Sequence, residues 1–339
     1  MNKVLIEDIE SFSQNFPIVE DLKGKSFLVT GATGLIGSIL VKCLCSLNLR
    51  YRAGIKVIAL GRNQERASEL FHGDDVKFIC TDICAPLNIA EQIDYIVHCA
   101  SPTSSVFLSE SPVETMQSIF EGTDRILCLG REKRVAGMVY LSSLEMYGVN
   151  GDDHEIKEDE LGYLDVTKAR SSYPVAKLGA ECLCSAYWHE YGLPVKVARL
   201  TQILGAGVSA DDKRVFAQFA RSVTDGKDIV LHTTGESSKP YCYTTDAVEA
   251  ILFIMLKGES GEVYNVATPD TYISIRSLAE LLVREFAPAS EVKLEIEGDH
   301  GYAPATRLRL NTDKVMALGW KPRHDLKEMF GRLIESIKR

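Results

Sequence analysis

Short apolar runs alternate with longer segments of helical periodicity through residues 1–200 of the chain. The strand-like runs lie at residues 26–30, 56–60, 76–80, 95–99, 138–142 and 195–200. Helix-length segments separate several of them, and a long helical stretch at 173–191 precedes the last run. Because parallel strands need long crossover connections, usually helices, this alternation predicts a parallel sheet in an α/β fold.

The pattern changes after residue 200, where shorter strands and helices mix. The predicted strands there are 228–231, 241–244 and 262–266, and the predicted helices are 215–224, 245–256, 274–286 and 326–338. The chain of 339 residues is longer than a typical single domain. We therefore predict a doubly wound parallel sheet over residues 1–200 and a smaller mixed α/β substrate-binding lobe over 201–339, interleaved with the first part.

A glycine-rich turn follows the first predicted strand directly and opens the first predicted helix. Glycine permits a tight turn and the close approach of a ligand, and the amides at a helix N-terminus can face a pyrophosphate. The spacing G-x-x-G-x-x-G differs from the G-x-G-x-x-G of typical dehydrogenases. The turn predicts a dinucleotide site with contacts from Gly31, Thr33, Gly34, Leu35, Ile36 and Gly37.

The adenosine end of this site lacks the acid that normally grips the ribose at the end of the second strand. Arg62 stands there instead, and it either pairs with a 2′-phosphate, which favours NADP, or lies against the adenine ring. Asp82 either accepts a hydrogen bond from the adenine amino group or closes a strand-end turn. Further cofactor contacts are predicted at Ile83, Ala100 and Ser101.

A catalytic centre is predicted from the segment SSYPVAKLGAE and from the end of the strand before it. Tyr173 and Lys177 are four residues apart, so a helix places both side chains on one face. A neighbouring ammonium stabilises phenolate, and we expect Lys177 to lower the pKa of Tyr173 from about 10 towards neutrality. Tyr173 is then the general base, and Ser143 holds the reacting oxygen at the sheet edge where parallel sheets bind ligands.

Composition and charge narrow the class of partner. A net charge of −9 argues against general nucleic-acid binding, which needs clustered Lys and Arg. The N-terminal segment is acidic and no apolar run approaches the roughly 20 residues that span a bilayer, so a soluble cytoplasmic protein without a membrane partner is expected. The nine cysteines have no histidines at zinc-site spacing, and no metal site is predicted.

Five motifs together give the chain a family resemblance: GATGLIG, TDICAPL, HCASPTSS, SSLEMYG and YPVAK. They resemble the extended short-chain dehydrogenase/reductases, specifically the NAD-dependent nucleotide-sugar epimerase/dehydratase family, over nearly the whole length. Residues 81–105 are similar to the UDP-glucuronate decarboxylase branch. The resemblance implies a Rossmann-type fold, a held NAD that is reduced and reoxidised within one turnover, and a homodimer built on helices near 113–131 and 173–191.

The same resemblance implies that Ser143, Tyr173 and Lys177 oxidise a sugar at C4. The ketone is then reduced from the opposite face, loses a C5 carboxylate, or loses water across C5 and C6. Glu145 stands where dehydratases and decarboxylases of the family carry a glutamate, so it is a candidate catalytic residue or a carboxylate that fixes a loop. Leu144 replaces the aspartate that dehydratases use as an acid, which argues against dehydration.

Substrate contacts are also implied by likeness in the second lobe. Gln202 lies where the family often has an asparagine near the sugar phosphate, and Arg214 is in a segment similar to the nucleotide-contacting one. Arg307 resembles a phosphate-binding arginine, since a guanidinium fork suits a pyrophosphate. Both arginines are equally compatible with exposed helix charges. Lys239 replaces an arginine usual in the family, which puts recognition of a sugar carboxylate in question.

The leading hypothesis is a nucleotide-sugar 4-epimerase, because epimerisation requires only the Ser-Tyr-Lys centre and a sugar able to rotate. Decarboxylation is the alternative that Glu145 and the HCASPTSS segment support. An NADP-dependent ketone reductase is another enzyme hypothesis, which rests on Arg62. A dinucleotide sensor without catalysis is disfavoured, since both Tyr173 and Lys177 are present.

Overall fold

A computed structural model of the chain describes residues 2–296 and 305–338. The strands are β1 (Ser26–Thr30), β2 (Lys56–Gly61), β3 (Val76–Cys80), β4 (Tyr95–His98), β5 (Gly137–Ser143), β6 (Glu155–Ile156), β7 (Val195–Leu200), β8 (Gln202–Leu204), β9 (Ile229–Leu231), β10 (Ser238–Tyr243), β11 (Val263–Val266), β12 (Thr268–Ser274), β13 (Val292–Leu294) and β14 (Arg309–Leu310). The α-helices are α1 (Lys3–Asn15), α2 (Leu35–Tyr51), α3 (Gln64–Leu70), α4 (Ser105–Glu110), α5 (Pro112–Lys133), α6 (Ser172–Tyr191), α7 (Val215–Thr224), α8 (Thr244–Lys257), α9 (Ile275–Phe286), α10 (Asp313–Met316) and α11 (Leu326–Ile337). Short 3-10 helices are Val19–Leu22, Leu144–Tyr147 and Ala169–Ser171.

Seven of these strands form one sheet in the order β3-β2-β1-β4-β5-β7-β11, and all neighbouring pairs are parallel. Every residue of β1 is buried, as expected for a central strand covered on both faces. The strand order reverses between β1 and β4, which is where open α/β sheets bind their ligands. The predicted doubly wound parallel sheet is confirmed.

Alternate residues along the strands divide between two layers of helices. Phe27 and Val29 pack in a core with α1, α2 and α8, whereas Leu28 packs in a second core with α5 and α6. This follows from the two-residue period of a strand, which points successive side chains to opposite faces. The central sheet therefore lies between two helical layers, and the carboxyl ends of its strands form one edge.

The part of the chain after residue 200 returns to this sheet before it ends. Val263–Val266 (β11) pairs with β7, and Thr244–Lys257 (α8) packs against α2, β5 and β7. Other strands of this part form a sheet in the order β12-β10-β8, and β9 pairs with β13. Residues on both sides of the predicted boundary at residue 200 thus share the central sheet.

Helix α1 is not among the predicted elements, although Asn2 caps it and its apolar residues recur at helical spacing. It packs against α2, α8 and α11. Its buried Asp8 accepts hydrogen bonds from the Tyr243 hydroxyl at 2.6 Å and from the Arg332 guanidinium at 2.5 Å. Although the N-terminal segment is acidic, the carboxylate of Asp8 is therefore not on the surface but holds α1 to Tyr243 and Arg332.

Candidate active site

The glycine turn after β1 is so close to neighbouring backbone that larger residues would not fit. Gly31 has φ +63°, and a Cβ there would lie 2.7 Å from the amide nitrogen of Ala100. A Cβ on Gly37 would lie 2.4 Å from the carbonyl oxygen of Gly31. These two positions require glycine, because neither contact is with a side chain that could move away.

The turn also presents the N-terminus of α2 to the sheet edge. Gly34 precedes the helix and has no side chain to cap it. The amides of Leu35, Ile36 and Gly37 have no partner within the helix, because the first turn of any helix leaves its amides free. Free amides at a helix N-terminus suit a pyrophosphate, so the turn fits the dinucleotide predicted for it.

At the predicted adenosine end, Arg62 and Asp82 lie beside each other. The Arg62 guanidinium is 79% exposed and lies 3.7 Å from the Asp82 carboxylate. The other Asp82 oxygen accepts the Cys84 amide at 2.8 Å, so this carboxylate does close a strand-end turn. Arg66 was missed by sequence reasoning: its Nε donates to the Thr33 carbonyl at 3.0 Å and anchors the glycine turn.

The remaining predicted cofactor contacts lie around the same edge. Ile83 packs on α5, where a Cβ on Gly122 would lie 2.8 Å from it. The Ala100 amide donates to the Thr30 hydroxyl at 3.2 Å, just after β4. Ser101 follows and is partly buried. Their contacts with a cofactor stay predictions.

The structure brings the three predicted catalytic residues together from two elements. Ser143 ends β5, and Tyr173 and Lys177 lie in the first turns of α6. The Lys177 ammonium is 5.9 Å from the centre of the Tyr173 ring, and it donates to the Leu141 carbonyl at 2.8 Å. It also lies 4.8 Å from the centre of the Tyr140 ring. The three residues therefore form one cluster, as expected from the helical spacing of Tyr173 and Lys177 and from the position of Ser143 at the end of a parallel strand.

The proton affinity of this cluster differs from the expectation. Burial, and secondly the Glu145 carboxylate, raise the pKa of Tyr173 above its usual value, while a hydrogen bond with Ser143 acts in the opposite direction. Burial lowers the pKa of Lys177 to about 8. The predicted lowering of the Tyr173 pKa is therefore wrong for the protein alone, because taking a phenolate out of water costs more than the surrounding charges return.

Leu144 and Glu145, the two residues expected to influence the reaction outcome, lie in different environments. Leu144 is buried in a small core with Tyr147 and Ile156, so its side chain is not in the cleft. Glu145 is partly exposed and pairs with the Arg170 guanidinium at 3.1 Å. Arg170 was not predicted; the signal in the sequence is its position three residues before Tyr173.

The predicted substrate residues lie in different environments. Lys239 is on β10, where burial lowers its pKa, the Glu145 carboxylate raises it and the Arg170 guanidinium lowers it, so both charges act on Lys239. Gln202 pairs in register with Tyr241 of the same small sheet. They stay predictions as substrate contacts.

The two predicted phosphate-binding arginines differ in how free they are. Arg214 is held by Asp212, with its Nη2 2.6 Å from the carboxylate, and it lies over the Phe216 ring at 4.6 Å. Arg307 is exposed and lines a cavity of about 530 Å³ together with Asp153 and other polar residues. A phosphate would have to draw Arg214 out of an existing ion pair, whereas Arg307 already borders open space.

A buried network, which sequence reasoning missed, fixes the helix that carries Tyr173. Arg199 of β7 pairs with Glu181 of α6 at 2.7 Å, and its guanidinium also donates to the Tyr147 hydroxyl at 2.8 Å. The Tyr147 hydroxyl donates in turn to Asn265 at 2.6 Å. These contacts join α6 to the sheet and to the 3-10 helix after Ser143, so they set the spacing of the catalytic cluster.

The fold and the glycine turn are those of a dinucleotide-binding α/β protein, and the cluster of Ser143, Tyr173 and Lys177 lies where such sheets bind their ligands. The model of the NAD dependent epimerase/dehydratase family matches residues 27–267, and the chain belongs to that family. Membership confirms the predicted class of enzyme, the Rossmann-type fold and NAD as the cofactor. In residues 2–296 and 305–338, no helix is both long and apolar enough to cross a bilayer.

Curated relatives match along most of the chain. UDP-glucuronic acid decarboxylase 1 of Danio rerio is 28% identical over 339 residues, which are 98% of this chain and 78% of that protein. The dTDP-D-glucose 4,6-dehydratase of Bos taurus is 27% identical over 326 residues, 93% of this chain and 89% of that protein. The chain is thus similar to nucleotide-sugar enzymes that carry out different reactions.

Solved structures share the fold. UDP-glucose 4-epimerase from Thermotoga maritima, with UDP-glucose, has a TM-score of 0.80 at 23% identity and covers 92% of this chain and 98% of that one. UDP-glucuronic acid 4-epimerase from Bacillus cereus, in complex with UDP-glucuronic acid and NAD, has a TM-score of 0.77 at 20% identity, covering 92% and 99%. At these identities the likeness is one of architecture.

Proposed function

We propose that this enzyme is a nucleotide-sugar 4-epimerase, which oxidises the C4 hydroxyl of the sugar and reduces the ketone from the opposite face. The observation that carries the proposal is the pairing of Glu145 with Arg170 beside an assembled Ser143, Tyr173 and Lys177. The centre for C4 oxidation is complete, while the carboxylate that would act at C5 is already engaged. Epimerisation is the outcome that needs nothing more than the centre.

The glycine turn would hold NAD, which would supply the hydride acceptor and donor for C4. The residues of the chain manage the proton and the oxygen. Ser143 holds the C4 oxygen, and Tyr173 removes the hydroxyl proton and later restores it. The Lys177 ammonium, 5.9 Å from the centre of the Tyr173 ring, stabilises the phenolate form of Tyr173.

The nucleotide end would lie against the second lobe. Arg307 borders the open cavity beside β10, and Lys239 of that strand is acted on by the charges of Glu145 and Arg170. Gln202 lies on the neighbouring strand β8. Two local cations of this kind suit a diphosphate even though the protein carries a net charge of −9.

Decarboxylation of a nucleotide-linked uronic acid is the second candidate. Arg170 pairs with Glu145, and the charge of Glu145 also acts on Lys239, so two positive charges lie around one negative charge. Such an excess suits a sugar carboxylate. Dehydration is disfavoured, since Leu144 is buried in the core where an acid would be required.

The test begins with the cofactor and then varies the sugar. Denaturing the purified protein should release near-stoichiometric NAD; an empty site that binds NADP would favour a ketone reductase instead. The holoenzyme is next incubated with UDP-, dTDP- and CDP-linked glucose and with UDP-glucuronate, and the sugars are read by proton NMR. A C4 epimer with an unchanged mass supports the first candidate, and loss of 44 mass units as carbon dioxide supports the second.

The homodimer and the cytoplasmic location stay predictions. Helices α5 and α6 pack on each other, and their outer surface exposes Val113 and Tyr191. We propose that this surface joins two copies of the chain. Light scattering at several protein concentrations checks it, and a monomer mass at every concentration would exclude the dimer.

A further inference from the structure

The ion pair of Glu145 and Arg170 joins the two short segments that carry the catalytic hydroxyls. Glu145 lies in the 3-10 helix that begins directly after Ser143, and Arg170 lies in the 3-10 helix directly before α6 and Tyr173. Arg170 Nη2 and Glu145 Oε2 are 3.1 Å apart, with side-chain exposures of 50% and 33%. The pair therefore links the end of β5 to the start of α6, next to Ser143 and Tyr173.

The charge of Glu145 reaches the reacting groups. It acts on Tyr173, whose proton is moved in the reaction, and on Lys239 of β10. A carboxylate in this place could remove the C5 proton of a 4-keto sugar, because the adjacent carbonyl makes that proton acidic. Transfer of the C5 proton to Glu145 would, however, neutralise the carboxylate and cost it the ion pair with the Arg170 guanidinium.

We propose that Arg170 is a positioning residue that decides the reaction outcome: it holds Glu145 so that the 4-keto sugar is reduced without losing its C5 proton. The inference rests on the proposed C4 oxidation and names the residue that keeps it an epimerisation. Freed from Arg170, the Glu145 carboxylate takes the C5 proton. The C–H electron pair forms a C4–C5 double bond, and the carbonyl oxygen becomes an enolate next to Ser143 and Tyr173. Return of a proton from Glu145 to C5 restores the ketone, with no net oxidation or reduction.

Deuterium incorporation at C5 measures this removal and return of the C5 proton directly. In D2O, the Glu145 proton exchanges with solvent, so each enolisation leaves deuterium at C5, whereas hydride transfer at C4 leaves none. Wild-type holoenzyme and Arg170→Met are incubated with UDP-glucose, and the sugar is analysed by proton NMR and mass. We expect at least tenfold more C5 deuterium per turnover in Arg170→Met than in the wild type. Arg170→Lys should return it towards the wild-type level, because an ammonium can also pair with Glu145.

The double variant Arg170→Met/Glu145→Gln identifies the base. It should show no excess deuterium, since an amide cannot accept the C5 proton. Equal C5 deuterium in the wild type and Arg170→Met, with epimer or ketone formed, overturns the inference. So does excess deuterium that persists in the double variant.

A measurement without substrate separates this inference from the proposed function. The thermal midpoints of the wild type, Arg170→Met, Glu145→Gln and the double variant form a cycle whose coupling should be about 1 °C if the pair exists in solution. Arg309→Met breaks an ion pair with Glu155 of the same 3.1 Å length on the outside and is the control for losing an exposed arginine. No coupling overturns the inference whether or not the enzyme turns over. Coupling without any epimer or ketone counts against the proposed C4 oxidation instead.

Discussion

The two sides of the cleft are built in different ways. On the cofactor side, Gly31 and Gly37 lie in one continuous turn, and their contacts are with nearby backbone. On the substrate side, Glu145, Arg170 and Lys239 come from three segments, and they meet only because the sheet and α6 are in place. A local turn can be predicted from a sequence motif, whereas a charge cluster between distant segments depends on the whole fold. The first side carries the motif that indicates the family, and the second bears on the reaction that we propose.

The largest effect is expected where the two sides meet, at Tyr173. Tyr173→Phe removes the hydroxyl that we propose as the general base but keeps the buried ring, so kcat should fall by about 10²–10⁴-fold. NAD content after purification should be unchanged, because the glycine turn is untouched. Turnover and released dinucleotide are measured on the same preparation. Retained turnover would remove Tyr173 from the proposed chemistry.

Lys177 gives a pH signature. It binds its proton up to about 10.5 in the unfolded chain but releases it at about 8 when buried. Between these values the unfolded state binds more protons, so stability should rise with pH by roughly 3 kcal/mol relative to Lys177→Met. Urea unfolding of both proteins at pH 8 and pH 10.5 measures the difference. If the stability difference between the two proteins is the same at both pH values, burial does not lower the pKa of Lys177.

Gly37→Ala tests the cofactor side alone. The added Cβ would meet the Gly31 carbonyl oxygen, and we expect a loss of about 2 kcal/mol in stability together with loss of bound NAD. Gly151→Ala is the matched control, since a Cβ there has nothing within 4 Å. Thermal midpoint and NAD content are compared for the two variants. Equal behaviour of both would contradict the close packing of the turn.

The smallest effect is expected on the substrate side. Lys239→Met should raise KM by about tenfold and leave kcat within about threefold, because it removes a charge that binds substrate and transition state alike. Lys227→Met removes an exposed lysine paired with Asp225 in the same lobe and should change neither constant. The KM and kcat values of both variants and the wild type are compared by steady-state kinetics with the best substrate. A fall in kcat alone would place Lys239 in the chemistry.

How much the sequence predicts follows the same division. The bounds of β1, β3, β7 and α7 agree with the predicted ones, because apolar runs and helical periods are local signals. The cluster of Ser143, Tyr173 and Lys177 was also predictable from spacing and from the end of a parallel strand. Secondary structure and the dinucleotide turn need only short windows of the chain.

The pairings between distant segments were not predictable. Nothing in either short segment indicates that Glu145 meets Arg170, or that Arg214 is committed to Asp212. The direction of the Tyr173 pKa shift was wrong for a related reason: the sequence shows the neighbouring lysine but not the burial that opposes it. Charge balance in a cleft is a property of the folded interior.

Because β11 forms the edge of the central sheet, the sheet can be completed only after most of the chain has been synthesised. During synthesis, the segment Val195–Leu200 emerges long before Val263–Val266, its partner on that edge. Until then β7 is a strand with unpaired backbone groups on one side, which are a template for pairing with other chains. A protein shortened after residue 200 would keep that open edge permanently, and a nascent chain passes through the same state at every round of translation.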